Sequence, residues 1–142
     1  ATGFPGLKVL HFAFEPDGGS IYLPYRYEKN CIGYTGTHDN DTTIGWYGGL
    51  GEDERVFLDA YLGGVDEKRV HWQLIRLAMS SVADVCIIPM QDLLGLPSSA
   101  RMNRPQTAQG NWRWRLLPGQ FDDGTLQKLT DLTKLFGRSG QK

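Results

Sequence analysis

The stretch Cys31-Ile32-Gly33-Tyr34-Thr35-Gly36-Thr37 runs directly into His38-Asp39-Asn40-Asp41-Thr42-Thr43. The first half reads as a strand, and the second is a polar cluster placed at that strand's C-terminal end. Parallel barrels carry their functional groups where strands meet the loops that follow them. The neighbouring segments extend this pattern. Upstream, Leu7 to Phe14 is an apolar run behind the breaker Gly3-Phe4-Pro5-Gly6, which favours a buried strand. Glu15 to Ser20 is turn chemistry, and Pro24 blocks a helix in the Tyr-rich loop beyond it. Downstream, Val85 to Met90 is a third strand.

The connections are helical. Glu52 to Leu62 has acidic residues in its first turn, Val56, Phe57, Ala60 and Tyr61 on one face, and Gly63-Gly64 as its stop. Asp66 to Ala83 places Val70, Leu74, Leu77, Ala78 and Ser81 on a common stripe. The glycine-rich run Gly45 to Gly51 reads as a flexible connector, lacking the Gly-Lys-Ser/Thr ending of a phosphate loop. A last helix spans Thr125 to Phe136 through Leu126, Leu129 and Leu132, and residues 137–142 are expected to fray as a disordered tail. Strands joined by helices give an α/β class with parallel βα units. Three strands cannot cover both faces and both edges of a parallel sheet. Residues 1–136 are therefore expected to be part of a larger barrel, with open edges that predict self-association.

Composition narrows the function classes. With 142 residues, 40% hydrophobic and 15 Lys+Arg against 16 Asp+Glu, the chain suits one globular domain with no general pull on nucleic acid or membranes. No apolar run approaches the roughly 20 residues that span a bilayer. No secretory signal opens the chain, and a cytoplasmic location is expected. Cys31 and Cys86, the two cysteines, read as buried free thiols.

His38 and Asp39 admit several chemistries. A carboxylate at a strand end can bind sugar hydroxyls and stabilise positive charge on a glycosyl carbon, with a neighbouring imidazole adding hydrogen bonds. The same residues also suit an Asp/Asn/Thr turn that satisfies its own backbone. His-Asp is also the ligand pair of metal phosphohydrolases, but His11 and His71 are the remaining imidazoles. His11 reads as a hydrogen-bonded core residue and His71 as a partly exposed helix residue, which leaves the metal short of ligands. Asn103, in the loop after the third strand, shares the barrel face of His38 and Asp39 and is a candidate ligand contact. In Asn111-Trp112-Arg113-Trp114-Arg115 the alternation predicts both tryptophans packed inward.

Thr35-Gly36-Thr37-His38-Asp39-Asn40-Asp41-Thr42 resembles a signature of the 4-α-glucanotransferases, also called amylomaltases or disproportionating enzymes, of the α-amylase superfamily. Gly3 to Leu10 resembles the family's sixth barrel strand, Tyr34 to Asp41 the seventh and Ile87 to Gly95 the eighth. Met102-Asn103-Arg104-Pro105 and Gly110-Asn111-Trp112 resemble the loop beyond. The chain departs from the family at Tyr25-Arg26, where His-Asn is common, and at Gln106, where a small residue is usual. The resemblance implies the C-terminal part of a (β/α)8 barrel, about strands six to eight, acting on α-1,4-glucans and maltooligosaccharides by retaining chemistry. It implies Asp39 as the catalytic carboxylate that distorts the donor sugar and stabilises the transition state, with His38 and Asn103 as substrate contacts. No metal or organic cofactor is implied. The family's nucleophile and acid/base lie on earlier strands, so this chain alone is expected to be inert, and a purely carbohydrate-binding or structural piece is the alternative.

Overall fold

The computed structural model describes residues 3–140. Three short parallel strands, β1 (Gly6–Val9), β2 (Cys31–Tyr34) and β3 (Val85–Ile87), form one sheet in the order β1-β2-β3. Gly6 pairs with Cys31 and Ile32 with Val85, so all three strands end at one rim. Helices α1 (Thr43–Gly48), α2 (Glu52–Leu62) and α3 (Val70–Ser80) connect β2 to β3, and α4 (Met90–Leu93) and α5 (Asp123–Leu135) follow. The arrangement matches the α/β class and parallel connections read from the sequence. No helix among the described residues is long and apolar enough to cross a membrane.

Every strand is shorter than its apolar run. After Val9 the backbone turns into a 3-10 segment, Leu10–Phe12, that buries Leu10 and His11. Pairing with β2 persists through one bond, from the His11 amide to the Thr35 carbonyl at 3.2 Å. Beyond Tyr34, Thr35 is claimed by a side chain from the β3 loop. Beyond Ile87, Pro89 caps α4, consistent with proline's fixed φ and missing donor at helix starts.

The first half of the Gly45–Gly51 run is corrected from a connector to the helix α1, and Gly49–Gly51 alone joins α1 to α2. Thr42 caps α1, its hydroxyl accepting from the Gly45 amide at 3.1 Å. Glycine makes room there for the Ser98–Asp41 contact, because a Cβ on Gly45 would overlap Ser98 Oγ and lie 2.6 Å from the Asp41 carboxylate. α2 has the bounds read from the sequence, and Gly63 closes it in the left-handed conformation at φ 72°. Its buried face is rotated from the one expected: Leu58 is fully buried, Phe57 and Tyr61 pack on the core, and Val56 is exposed. α3 starts at Val70 rather than Asp66, because residues 66–69 are tied as a turn. There Asp66 accepts from Lys68 and Arg69, and its own amide donates to Gln73 Oε1 at 3.0 Å.

Two apolar clusters hold the helices to the sheet. Leu10, Phe14, Leu23, Leu58 and Leu74 form one, and Ile75, Met79, Leu93 and Leu132 the other. Leu126 of α5 is half exposed instead of buried. Arg138, inside the segment expected to fray, donates to the carbonyls of Met79, Ser81 and Ala83 at 2.6, 2.8 and 3.0 Å. Gln141 and Lys142, the end of that expected tail, lie outside the described residues. Both cysteines are free, and burial pushes the Cys86 thiol up to about 11.

Candidate functional site

At the rim where β2 and β3 end, one buried carboxylate organises the polar loop. Asp92, 2% exposed, accepts from the Thr35 hydroxyl through Oδ2 and from the Thr43 amide through Oδ1 at 2.7 Å. Both ends of the 35–43 loop are thus tied to the segment after β3. Burial holds the Asp92 carboxyl above its ordinary range, with the bonds from Thr35 and Thr43 opposing that shift.

Within the loop, Asn40 Oδ1 accepts from the Thr37 amide and hydroxyl at 2.9 and 2.8 Å. The self-satisfying turn therefore exists, and Thr37 and Asn40 form it. The Asp39 side chain takes no part in it and is half exposed. Its Oδ1 accepts from Asn103 Nδ2 at 2.6 Å, and His38 Nε2 stands 3.4 Å from the same oxygen. The three candidates read from the sequence thus lie together, although 64 residues separate Asp39 from Asn103. Oδ2 of Asp39 has no protein donor among the described residues, which leaves it available to a ligand hydroxyl.

Two further residues brace this contact. Arg101 donates from Nη2 to the Asp39 carbonyl at 2.6 Å and from Nε to the Asn103 carbonyl at 2.7 Å. Asp41 accepts from Ser98 Oγ at 2.8 Å and lies 3.8 Å from Arg101 Nη1. Sequence reasoning missed Asp92, Asp41 and Arg101 as site-builders. Asp92 carried a usable signal, since it follows an apolar strand as Asp39 does. Nothing local marks Arg101, whose role depends on reach across two loops.

His11 lies beneath the loop as a core histidine. Its Nε2 is 3.0 Å from Thr43 Oγ1, and its ring stacks on Trp46 at 4.7 Å and 6°. The Trp46 indole N–H donates to the His11 carbonyl at 3.1 Å. A Cβ on Gly36 would stand 2.6 Å from the imidazole, so glycine allows the loop to rest on it. Burial lowers the His11 pKa to about 3. His71 is half buried, its pKa lowered mainly by burial. Among the described residues no three His, Cys, Asp or Glu side chains converge in a group that could hold a metal.

The inward packing expected of both tryptophans fails at Trp112, which is 52% exposed; Trp114 is half buried. The Trp112 ring lies 5.1 Å from that of His38. The Trp112 amide donates to the Met102 carbonyl at 2.7 Å, which closes the 102–112 segment into a loop instead of a strand.

Comparison with known proteins gives one consistent result. A family model described as 4-alpha-glucanotransferase matches residues 1–120. A 4-alpha-glucanotransferase of Synechocystis is 53% identical over 136 residues, covering 95% of this chain and 27% of the relative. A potato (Solanum tuberosum) protein named 4-alpha-glucanotransferase, chloroplastic/amyloplastic, is 46% identical, with 94% of this chain and 24% of the relative covered. A structure of amylomaltase from Streptococcus agalactiae in complex with acarbose superposes with a TM-score of 0.93 at 34% identity, over 98% of this chain and 28% of that one. The chain spans about a quarter of the length of these relatives.

Proposed function

The chain belongs to the 4-alpha-glucanotransferase family, and from that premise we propose that it is the C-terminal portion of a (β/α)8 catalytic barrel, carrying strands six to eight. The complete enzyme transfers α-1,4-glucan segments between maltooligosaccharides with retention of configuration. Asp39 acts on the donor sugar: its carboxylate faces the glycosyl carbon as positive charge develops there, and electrostatic stabilisation of that charge is its contribution. His38 and Asn103 hold the sugar and the Asp39 carboxylate. The nucleophile and the general acid/base come from other strands, and this chain alone is inert.

The observation that carries this reading is the 2.6 Å bond from Asn103 Nδ2 to Asp39 Oδ1, with Asp39 half exposed at a strand's C-terminal end. A carboxylate fixed through one oxygen and open at the other is preorganised for a ligand, and such alignment adds no reorganisation cost during reaction. The test is maltotriose disproportionation by three proteins: a full-length enzyme carrying this sequence, its Asp39→Asn variant and the isolated chain. Transfer by the first, turnover reduced by roughly 10³-fold or more in the second and none in the third are expected. Near-normal turnover in Asp39→Asn would remove Asp39 from the mechanism.

A further inference from the structure

Trp112 is placed against the interests of the fold. It is the one non-glycine among the described residues with positive φ, at 61°, a conformation that costs an L-residue about 1–2 kcal/mol. Its side chain is 52% exposed and belongs to none of the apolar clusters. Exposure of a large ring and a left-handed backbone are both unfavourable, yet the loop enforces them. The Trp112 amide donates to Met102 O at 2.7 Å, and its carbonyl accepts from Arg115 Nη1 at 2.8 Å. Next to it, Asn111 accepts from the Arg104 amide and donates to the Thr107 carbonyl, each at 2.9 Å. The result is an indole held 5.1 Å from the His38 ring at 38°, and His38 Nε2 in turn stands 3.4 Å from the carboxylate of Asp39.

We propose that Trp112 is a substrate-stacking residue, whose open indole surface seats the apolar C–H face of a glucosyl unit adjoining the one that His38 and Asp39 address. The proposal rests on the function inferred above and adds a specificity contact to it. A pyranose ring has hydroxyls on its edge and C–H groups on its faces. A site for it needs polar groups on one side and an aromatic surface on the other, and this rim has both. A nucleic-acid base would also stack on the indole. Arg115 is spent on the carbonyls of Trp112 and Trp114, and with a net charge of −1 the chain has no general pull on the phosphates that such a base would bring.

Three forms of a full-length enzyme carrying this sequence test the idea: wild type, Trp112→Phe and Trp112→Gly. Glycine removes the ring and suits φ 61°, so thermal melting of Trp112→Gly is expected to be no lower than that of wild type. In maltotriose disproportionation, Trp112→Gly should raise KM roughly tenfold with kcat within about twofold, as lost uniform binding predicts, and phenylalanine should restore much of the affinity. An unchanged KM in Trp112→Gly overturns the proposal. So does a lowered kcat at constant KM, which would make the ring a prop for His38. Calorimetric titration of maltotriose is run on the same proteins. Absence of transfer by wild type would overturn the inferred function, whereas weaker binding by Trp112→Gly than by wild type would still support the stacking role. Equal binding by both, or none by wild type, would overturn it.

Discussion

The rim of the sheet and its two outer edges are finished to different degrees. At the rim, Asp92, Asp41, Arg101 and Asn103 connect the β2 loop to the β3 loop by hydrogen bonds between groups 49 to 64 residues apart. Thr35, Thr43 and Asp92, all buried there, have partners from within the chain, whereas His11 Nδ1 beneath the loop has none. At the edges, β1 and β3 each have a neighbour on one side only among the described residues, and Leu7, Val85 and Ile87 are 58%, 45% and 43% exposed. Beside β3 lies a cavity of about 840 Å³ walled by Cys86, Ile88, Leu93, Phe136 and Arg138. A loop network can therefore be cross-linked by its own hydrogen bonds while the scaffold beneath it still presents unpaired backbone and apolar surface.

The sharpest way to break this contrast is to cut the rim at Asp92. Asp92→Ala leaves the Thr35 hydroxyl and Thr43 amide buried without an acceptor, and should cost about 3 kcal/mol of stability by urea denaturation. Asp92→Asn keeps an acceptor for the Thr43 amide and should cost about 1 kcal/mol. Equal stabilities for both variants and wild type would mean that the rim is not tied together by this carboxylate.

A smaller effect tests the layer under the loop. The folded-state pKa of His11 lies near 3, below the ordinary 6.5, so the unfolded chain binds the proton more readily. Its contribution is therefore full above pH 6.5 and is lost as pH falls toward 3. Between pH 7 and 5 this amounts to about 2 kcal/mol. In His11→Gln that part of the acid destabilisation should vanish. Comparing the two proteins isolates the histidine, because Asp92 titrates in the opposite sense: its raised pKa gives a contribution full in acid and lost as pH rises. Parallel urea midpoints for wild type and His11→Gln across this range would refute the assignment.

The smallest expected change in stability concerns the edge. Ile87→Lys puts a charge on an exposed strand position and should alter folding stability by less than about 0.5 kcal/mol. We propose that the open edges drive self-association of the isolated chain. Sedimentation velocity should show associated species for the wild-type chain and a shift toward monomer for Ile87→Lys. A monomeric wild-type chain would show that the exposed edges are tolerated.

Much of this architecture can be read locally. α2 was legible to its last residue because its determinants are neighbours in sequence: acidic side chains in the first turn and a glycine able to adopt φ 72° at the end. The position of Asp39 at a strand end was legible for the same reason. α1 was not, because Gly45 signals flexibility in a sequence but here clears space for Ser98 and Asp41. The strands were overestimated because Leu10 and His11 are buried, and Ile88 partly buried, by turning into the core, and apolar character alone does not distinguish that from continued pairing. Trp112 was misread because alternation implies a two-faced strand only where a partner strand exists.

The sequence alone determined the parallel α/β plan, the polar cluster after the second strand and the candidates His38, Asp39 and Asn103, since caps, periodicity and strand-end chemistry act over a few residues. Tertiary structure alone decided that Asp92 closes the 35–43 loop, that Arg101 braces Asp39 against Asn103 and that Trp112 stands open beside His38. Those contacts depend on how two loops from different strands approach one another, and side-chain reach in three dimensions leaves no periodic trace along a chain.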